Sequence, residues 1–183
     1  MSAEAKYVHA VAASMAKPRK SIRRTSSPRL VYFEDRGAVY DAPIETVWDF
    51  MRQDEEFHPK AHASSVRNFK DTRLSAVTVL LKWEELKGGR WKKRVARMTE
   101  IRPSVRILEE LEGPDAGSQT VHTYSPRGNT TVVDVLSYRR STRESPALIK
   151  RKWLRRFAKA YREDLPYFRQ YVRKRRVANK NAA

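Results

Sequence analysis

From Ala63 to Arg140 the chain passes through six short strand-forming segments separated by turn residues, and then closes with one long basic segment striped with aromatic residues. Hairpins in succession followed by a single long helix leave few packings: the strands form an antiparallel sheet and the helix covers its apolar face. Val66 to Lys70 is the shortest strand. Leu74 to Leu86 alternates Val77, Val79, Leu81 and Trp83 on one face, and Gly88 with Gly89 predicts a tight turn into a return strand, Arg90 to Ile101. Pro103 and Ser104 mark the next connection, after which Val105 to Leu111 alternates Val105, Ile107, Glu109 and Leu111. A loop at Gly113 to Ser118 leads to a last hairpin, Gln119 to Ser125 and Asn129 to Arg140, turning at Pro126 to Gly128. Beyond Pro146, Ile149, Trp153, Phe157, Tyr161, Phe168 and Val172 recur at close to helical spacing, with Pro166 expected to kink or restart the helix.

Upstream of this series, Leu30 to Tyr40 is rich in strand formers and broken by Gly37, where a bulge is expected. Asp41 then offers a helix N-cap, Pro43 suits a first turn, and Ile44, Val47, Trp48 and Met51 fall on one helical face. Residues 53–62, QDEEFHPKAH, read as a second short helix or an irregular turn, because Pro59 breaks anything longer. The fold class expected is α+β: a curved seven-stranded antiparallel sheet wrapped around a long C-terminal helix, with two short helices after the first strand. A length of 183 residues fits one domain with tails. We place a basic, flexible extension at 1–29, the domain at 30–173 and a basic tail at 174–183.

The net charge of +18 divides unevenly, with +6 in residues 1–29, +1 in residues 30–148 and +11 in residues 149–183. The body is near neutral and the ends are basic, so the two need separate explanations. There is no cysteine, which excludes disulfides, thiolate catalysis and cysteine-held metal. No apolar run reaches the roughly 18 to 20 residues of a membrane span. The expected location is cytoplasmic, with peripheral membrane contact through the basic ends; residues 1–29 also have the basic, acid-poor make-up of a mitochondrial transit peptide if the source is eukaryotic.

The element order, the DAPIETVWDFM segment at residues 41–51 and the closing WLRRFAKAYREDLPYFRQYV stretch resemble the helix-grip superfamily of START-like (SRPBCC) proteins, which includes polyketide cyclases and Bet v 1-like plant allergens. The resemblance covers about residues 30 to 173 and is specific for fold rather than function. It implies a hydrophobic cavity between sheet and helix, used across the superfamily for lipids, sterols, quinones or polyketides, with a minority of members acting as enzymes.

If the alternating apolar faces point inward, Val79, Leu81 and Trp83 line one wall of such a cavity, Ile107 the opposite wall, and Trp153, Phe157 and Tyr161 the helix side. Ordinary core packing of the same side chains competes with this reading. The same assignment puts Glu109 inside and opposite Arg97, as a ligand-orienting or structural ion pair. His122 and Tyr124 share a strand face and bring an imidazole and a phenol to the cavity. No nucleophile triad, paired carboxylates or phosphate loop surrounds them. His58 and His62 have a chelating spacing but flank Pro59 and lack the glutamate of a zinc helix, so neither a metal nor a cofactor is expected.

Arg151, Lys152, Arg155, Arg156, Lys159, Arg173, Lys174, Arg175 and Arg176 give the last helix a basic face with few acids, which points to an anionic partner. The leading expectation is a non-catalytic START-like protein that binds a lipid, quinone or polyketide-like molecule and docks on an anionic surface. The alternatives are an RNA- or ribosome-associated member of the superfamily, and a cyclase or dehydratase using Arg97, Glu109, His122 and Tyr124.

Overall fold

The computed structural model describes residues 29–52, 61–141 and 144–181. Along the chain the elements are β1 (Arg29–Tyr40), α1 (Ile44–Arg52), β2 (Val66–Arg73), β3 (Thr78–Lys87), β4 (Arg90–Ile101), β5 (Val105–Glu112), β6 (Gln119–Arg127), β7 (Thr130–Ser141) and α2 (Pro146–Asn181). The strands form one antiparallel sheet in the order β1-β7-β6-β5-β4-β3-β2, so β1 and β2, adjacent in sequence, sit at opposite edges. The second short helix expected after the first strand falls mostly on residues 53–60, outside the described residues.

Turn chemistry accounts for the register. Gly88 and Gly89 both have positive φ, at 59° and 72°, as a two-residue turn between right-twisted strands requires. Gly37, at φ 88°, sits where the β1–β7 pairing slips between Asp35 and Ala38, and its N–H donates to Asp134 Oδ1 at 3.1 Å. The helix boundaries differ from expectation in two places. The Pro43 carbonyl, not the Asp41 side chain, receives the first bonds of α1, from the Thr46 and Val47 N–H groups. Pro166 lies inside a continuous helix that runs to Asn181, so it does not restart the element and the basic segment after residue 173 is helical.

The apolar side of α1 buries Ile44, Val47, Trp48, Phe50 and Met51 against β1, β6, β7 and the C-terminal half of α2. Phe168 is the hub, with ring centroids 5.0 Å from Tyr40 and 5.2 Å from Phe50, both near edge-on. The N-terminal half of α2 packs Ile149, Trp153, Leu154 and Phe157 on Val31 and Phe33 of β1. A third cluster, Val79, Leu81 and Met98 with Trp83 and Leu108, lies under the far part of the sheet.

On β3 and β6 the inward rows are those the alternation predicts. On β4 and β5 they are inverted: Arg94, Ala96, Met98 and Glu100 point inward on β4, and Arg106, Leu108 and Glu110 on β5. Arg97, Ile107 and Glu109 therefore stand on the outer face, and Val77 and Leu111 are exposed. The physical reason is that the concave face buries charge, so the more apolar row was not the inner one; a bulge between Val95 and Ala96 also interrupts the β4–β5 pairing.

Candidate functional site

Between the concave face of the sheet and α2 lies a cavity of about 500 Å³. Its middle is apolar, walled by Leu81, Met98, Leu108, Val133, Val135 and Phe157. That size and lining are typical of sites for small organic ligands. Arg36, 74% exposed, belongs to the lining as well and marks where the cavity reaches solvent.

Of the residues the sequence nominates, Leu81, Trp83, His122, Tyr124, Trp153, Phe157 and Tyr161 line this cavity. Val79 is buried in the same row as Leu81, packed with Met98 beside it. Arg97, Ile107 and Glu109 do not line it. Arg97 and Glu109 do pair, with Nε donating to Oε2 at 2.7 Å, but on the solvent side, where they cannot orient a ligand held under the sheet.

The two ends of the cavity are polar. At one end Tyr124 is buried edge-on to Trp48 at 5.3 Å, and burial raises the pKa of its phenol against the opposing effect of the Arg106 guanidinium. Arg106 donates to the Met51 carbonyl at 3.0 Å and to Glu100 Oε1 at 3.2 Å. His62 lies nearby, its Nδ1 3.1 Å from Glu163 Oε2 and its Nε2 3.0 Å from Asp164 Oδ1. Burial pulls the imidazole down, and the two carboxylates more than reverse this, so its pKa stands above the ordinary histidine value. His62 is thus held by acids of α2; His58, its suggested chelating partner, lies outside the described residues.

At the other end Arg94 is fully buried among carboxylates: Nη2 is 2.6 Å from Glu110 Oε1, Nη1 is 2.9 Å from Asp115 Oδ2, and Nη1 also contacts Glu85. Burial alone would disfavour its charge, and the three acids more than restore it, so its pKa is raised. Arg139 and Arg156 reach the same end from β7 and α2, with their guanidinium carbons 3.4 Å and 4.5 Å from the centre of the Trp153 ring. Arg94, Arg106, Glu110 and Arg139 were not nominated from sequence, and His62 was weighed there only as a metal ligand. A usable signal was there: on β5 Leu108 is flanked by Arg106 and Glu110, complementary to Arg94 and Glu100 on β4.

On the basic helix, Arg151, Lys152, Arg155, Lys159, Arg173, Lys174 and Arg176 are exposed. Arg156 and Arg175 are turned to partners within the chain, Arg156 to Glu85 and Arg175 to Asp49 at 2.8 Å, so they belong less to the outer face than the sequence implied. Among the described residues, no three histidine, aspartate or glutamate side chains converge as metal ligands. No helix among them is long and apolar enough to cross a membrane.

The seven-stranded antiparallel sheet and the long C-terminal helix packed on its concave face are the helix-grip fold of START-like and Bet v 1-like proteins. The Zhui aromatase/cyclase of Streptomyces sp. R1128 superposes with a TM-score of 0.60 at 13% identity, over 82% of this chain and 98% of that one. Ara h 8.0201 gives 0.58 at 8% identity, covering 79% of this chain and 99% of its own. Norcoclaurine synthase from Thalictrum flavum, solved with dopamine and hydroxybenzaldehyde, gives 0.55 at 12% identity over 79% and 91%. No protein-family profile and no curated protein sequence matches the chain. At these identities the likeness is one of fold.

Proposed function

We propose that the protein binds and carries an apolar or amphipathic small molecule in the space between sheet and α2. The observation that supports this best is the cavity of about 500 Å³, apolar through its middle and polar at both ends. A core that served packing alone would close such a volume, because interiors are packed to crystal-like density. The test is native mass spectrometry of protein isolated gently from its own host, followed by solvent extraction. A stoichiometric lipid, quinone or polyketide-like compound is the expected result. Protein that arrives empty and takes up nothing from a panel of such compounds refutes the reading.

Carriage also needs a place to load or deliver. The exposed Arg151, Arg155, Arg173 and Arg176 on one helix support docking on an anionic membrane. Co-sedimentation with vesicles containing phosphatidylserine, lost at high salt, is the expected behaviour; retention of ribosomal RNA in place of vesicles would favour the RNA-associated alternative. A cyclase or dehydratase reading rests on His122 and Tyr124, which project into the same cavity. A His122→Ala variant that retained full turnover of an identified substrate would remove the imidazole from it.

A further inference from the structure

The charge at the Trp153 end of the cavity does not balance, and the imbalance indicates what kind of ligand fits there. Glu85, Glu110 and Asp115 surround Arg94. Arg156 contacts the other oxygen of Glu85, and Lys87 Nζ lies 3.4 Å from Asp115 Oδ1. Three carboxylates are matched by three cations. Arg139 is a fourth cation, 3% exposed and lining the cavity, with no carboxylate at ion-pair distance among the described residues. Its Nη2 donates to Thr120 Oγ1 at 2.5 Å, and Trp153 covers one face of the guanidinium. Its Nε and Nη1 have no hydrogen-bond partner among the described residues. Burial lowers its pKa to about 10, against the raising effect of Asp115 and Glu110, which leaves it protonated at neutral pH. Buried charges are ordinarily paired because desolvation is costly, so a guanidinium in a cavity wall with no acid at ion-pair distance favours an anionic ligand.

We propose that Arg139 binds the carboxylate of an amphipathic monocarboxylic acid whose apolar body extends along the cavity past Leu81, Met98 and Phe157. This rests on the carrier reading and narrows its ligand class. One negative charge neutralises this end of the cavity. A neutral carbonyl or hydroxyl would satisfy the free N–H groups but leave the charge unmatched, whereas a doubly charged phosphate monoester would bring one negative charge more than Arg139 matches, beside Glu110 and Asp115. The stacked indole fixes the plane of the guanidinium, so its donors are presented in a defined orientation.

Dodecanoate, 1-dodecanol and dodecyl phosphate, titrated into the wild-type protein at neutral pH by calorimetry, separate these cases. Dodecanoate should bind at least about tenfold more tightly than either of the others, the margin expected of charge-assisted hydrogen bonds. Arg139→Met should remove about tenfold or more of the dodecanoate affinity and change that for dodecanol by less than about twofold, while Arg139→Lys keeps part of the preference. A second readout needs no variant: the carboxyl carbon of 13C-labelled dodecanoate bound to wild-type protein should titrate at lower pH than free dodecanoate, because the guanidinium favours the ionised form. Equal affinity for acid and alcohol, a preference that survives Arg139→Met, or an unshifted carboxyl titration overturns the assignment while leaving the carrier reading in place. If none of the three compounds binds and the native protein is also empty, the carrier reading fails and this one with it.

Discussion

Two clusters beneath the sheet, one around Phe168 and one around Trp153, bury their side chains by different means. Around Phe168, rings from β1, α1 and α2 meet edge-on or tilted, Tyr40, Phe50 and Tyr171 are removed from water, and the buried carboxylate of Asp164 accepts from the Tyr40 hydroxyl at 3.5 Å. Around Trp153, guanidinium groups are layered on indoles and tied to carboxylates from β3, β5 and the loop after it. The first arrangement stabilises through area and dispersion and is complete in itself. The second is held by paired charges and is incomplete, because Arg139 lacks an acid among the described residues. The Phe168 cluster behaves as core and the Trp153 end as a site.

The largest effect should come from breaking the aromatic cluster. Phe168→Ala removes a nearly fully buried ring and should cost about 3–5 kcal/mol in chemical denaturation. At the charged end, Arg94→Met leaves Glu85, Glu110 and Asp115 close together with their shared cation gone, and should cost about 3 kcal/mol. Part of that loss should be regained at acidic pH as the carboxylates protonate. Arg97→Ala, on the outer face of the same strand, is the control and should leave the denaturation midpoint unchanged within error. If Arg94→Met proves as mild as Arg97→Ala, the contrast between the faces of the sheet is wrong.

Arg139→Met should act in the reverse sense on ligand-free protein, raising stability by about 1 kcal/mol, because it replaces an unpaired buried charge with an apolar side chain. A lower melting temperature for the empty variant would mean that Arg139 is structural. The smallest effect concerns His62, between Glu163 and Asp164. Its pKa is raised on folding, so its stabilising contribution is fully present below the unfolded value of about 6.5 and is lost as pH rises through the folded value. Melting temperatures measured from mildly acidic to mildly alkaline pH should show this decline in wild-type protein, and His62→Gln should flatten it.

Much of the architecture is readable from spacing. Paired glycines at 88 and 89, the break at Gly37 and the stripe through Ile149, Trp153 and Phe157 each predict an element that the structure contains. His122, Tyr124, Leu81 and Trp83 are placed on the cavity side by alternation alone. The reasoning fails on β4 and β5, where the row with more apolar residues faces solvent. On β5, Val105, Ile107 and Leu111 make the outer row look like core, whereas the true inner row reads Arg106, Leu108, Glu110.

What the amino-acid sequence by itself determined is local: turn positions, strand and helix periods, the stripe on the last helix and the division of charge between body and ends. These depend on neighbours a few residues apart, whose steric and hydrophobic preferences act before any distant contact forms. Which face of β4 and β5 is buried, and hence where the charged end of the cavity lies, was decided only by tertiary structure. An inward arginine is tolerable only once acids and an indole from distant parts of the chain arrive around it, and Arg94 gains Glu85, Glu110, Asp115 and the Trp83 ring by folding alone. Arg139 gains Trp153 and Thr120 but no acid among the described residues, and that unmet charge emerges only from the assembled sheet and helix.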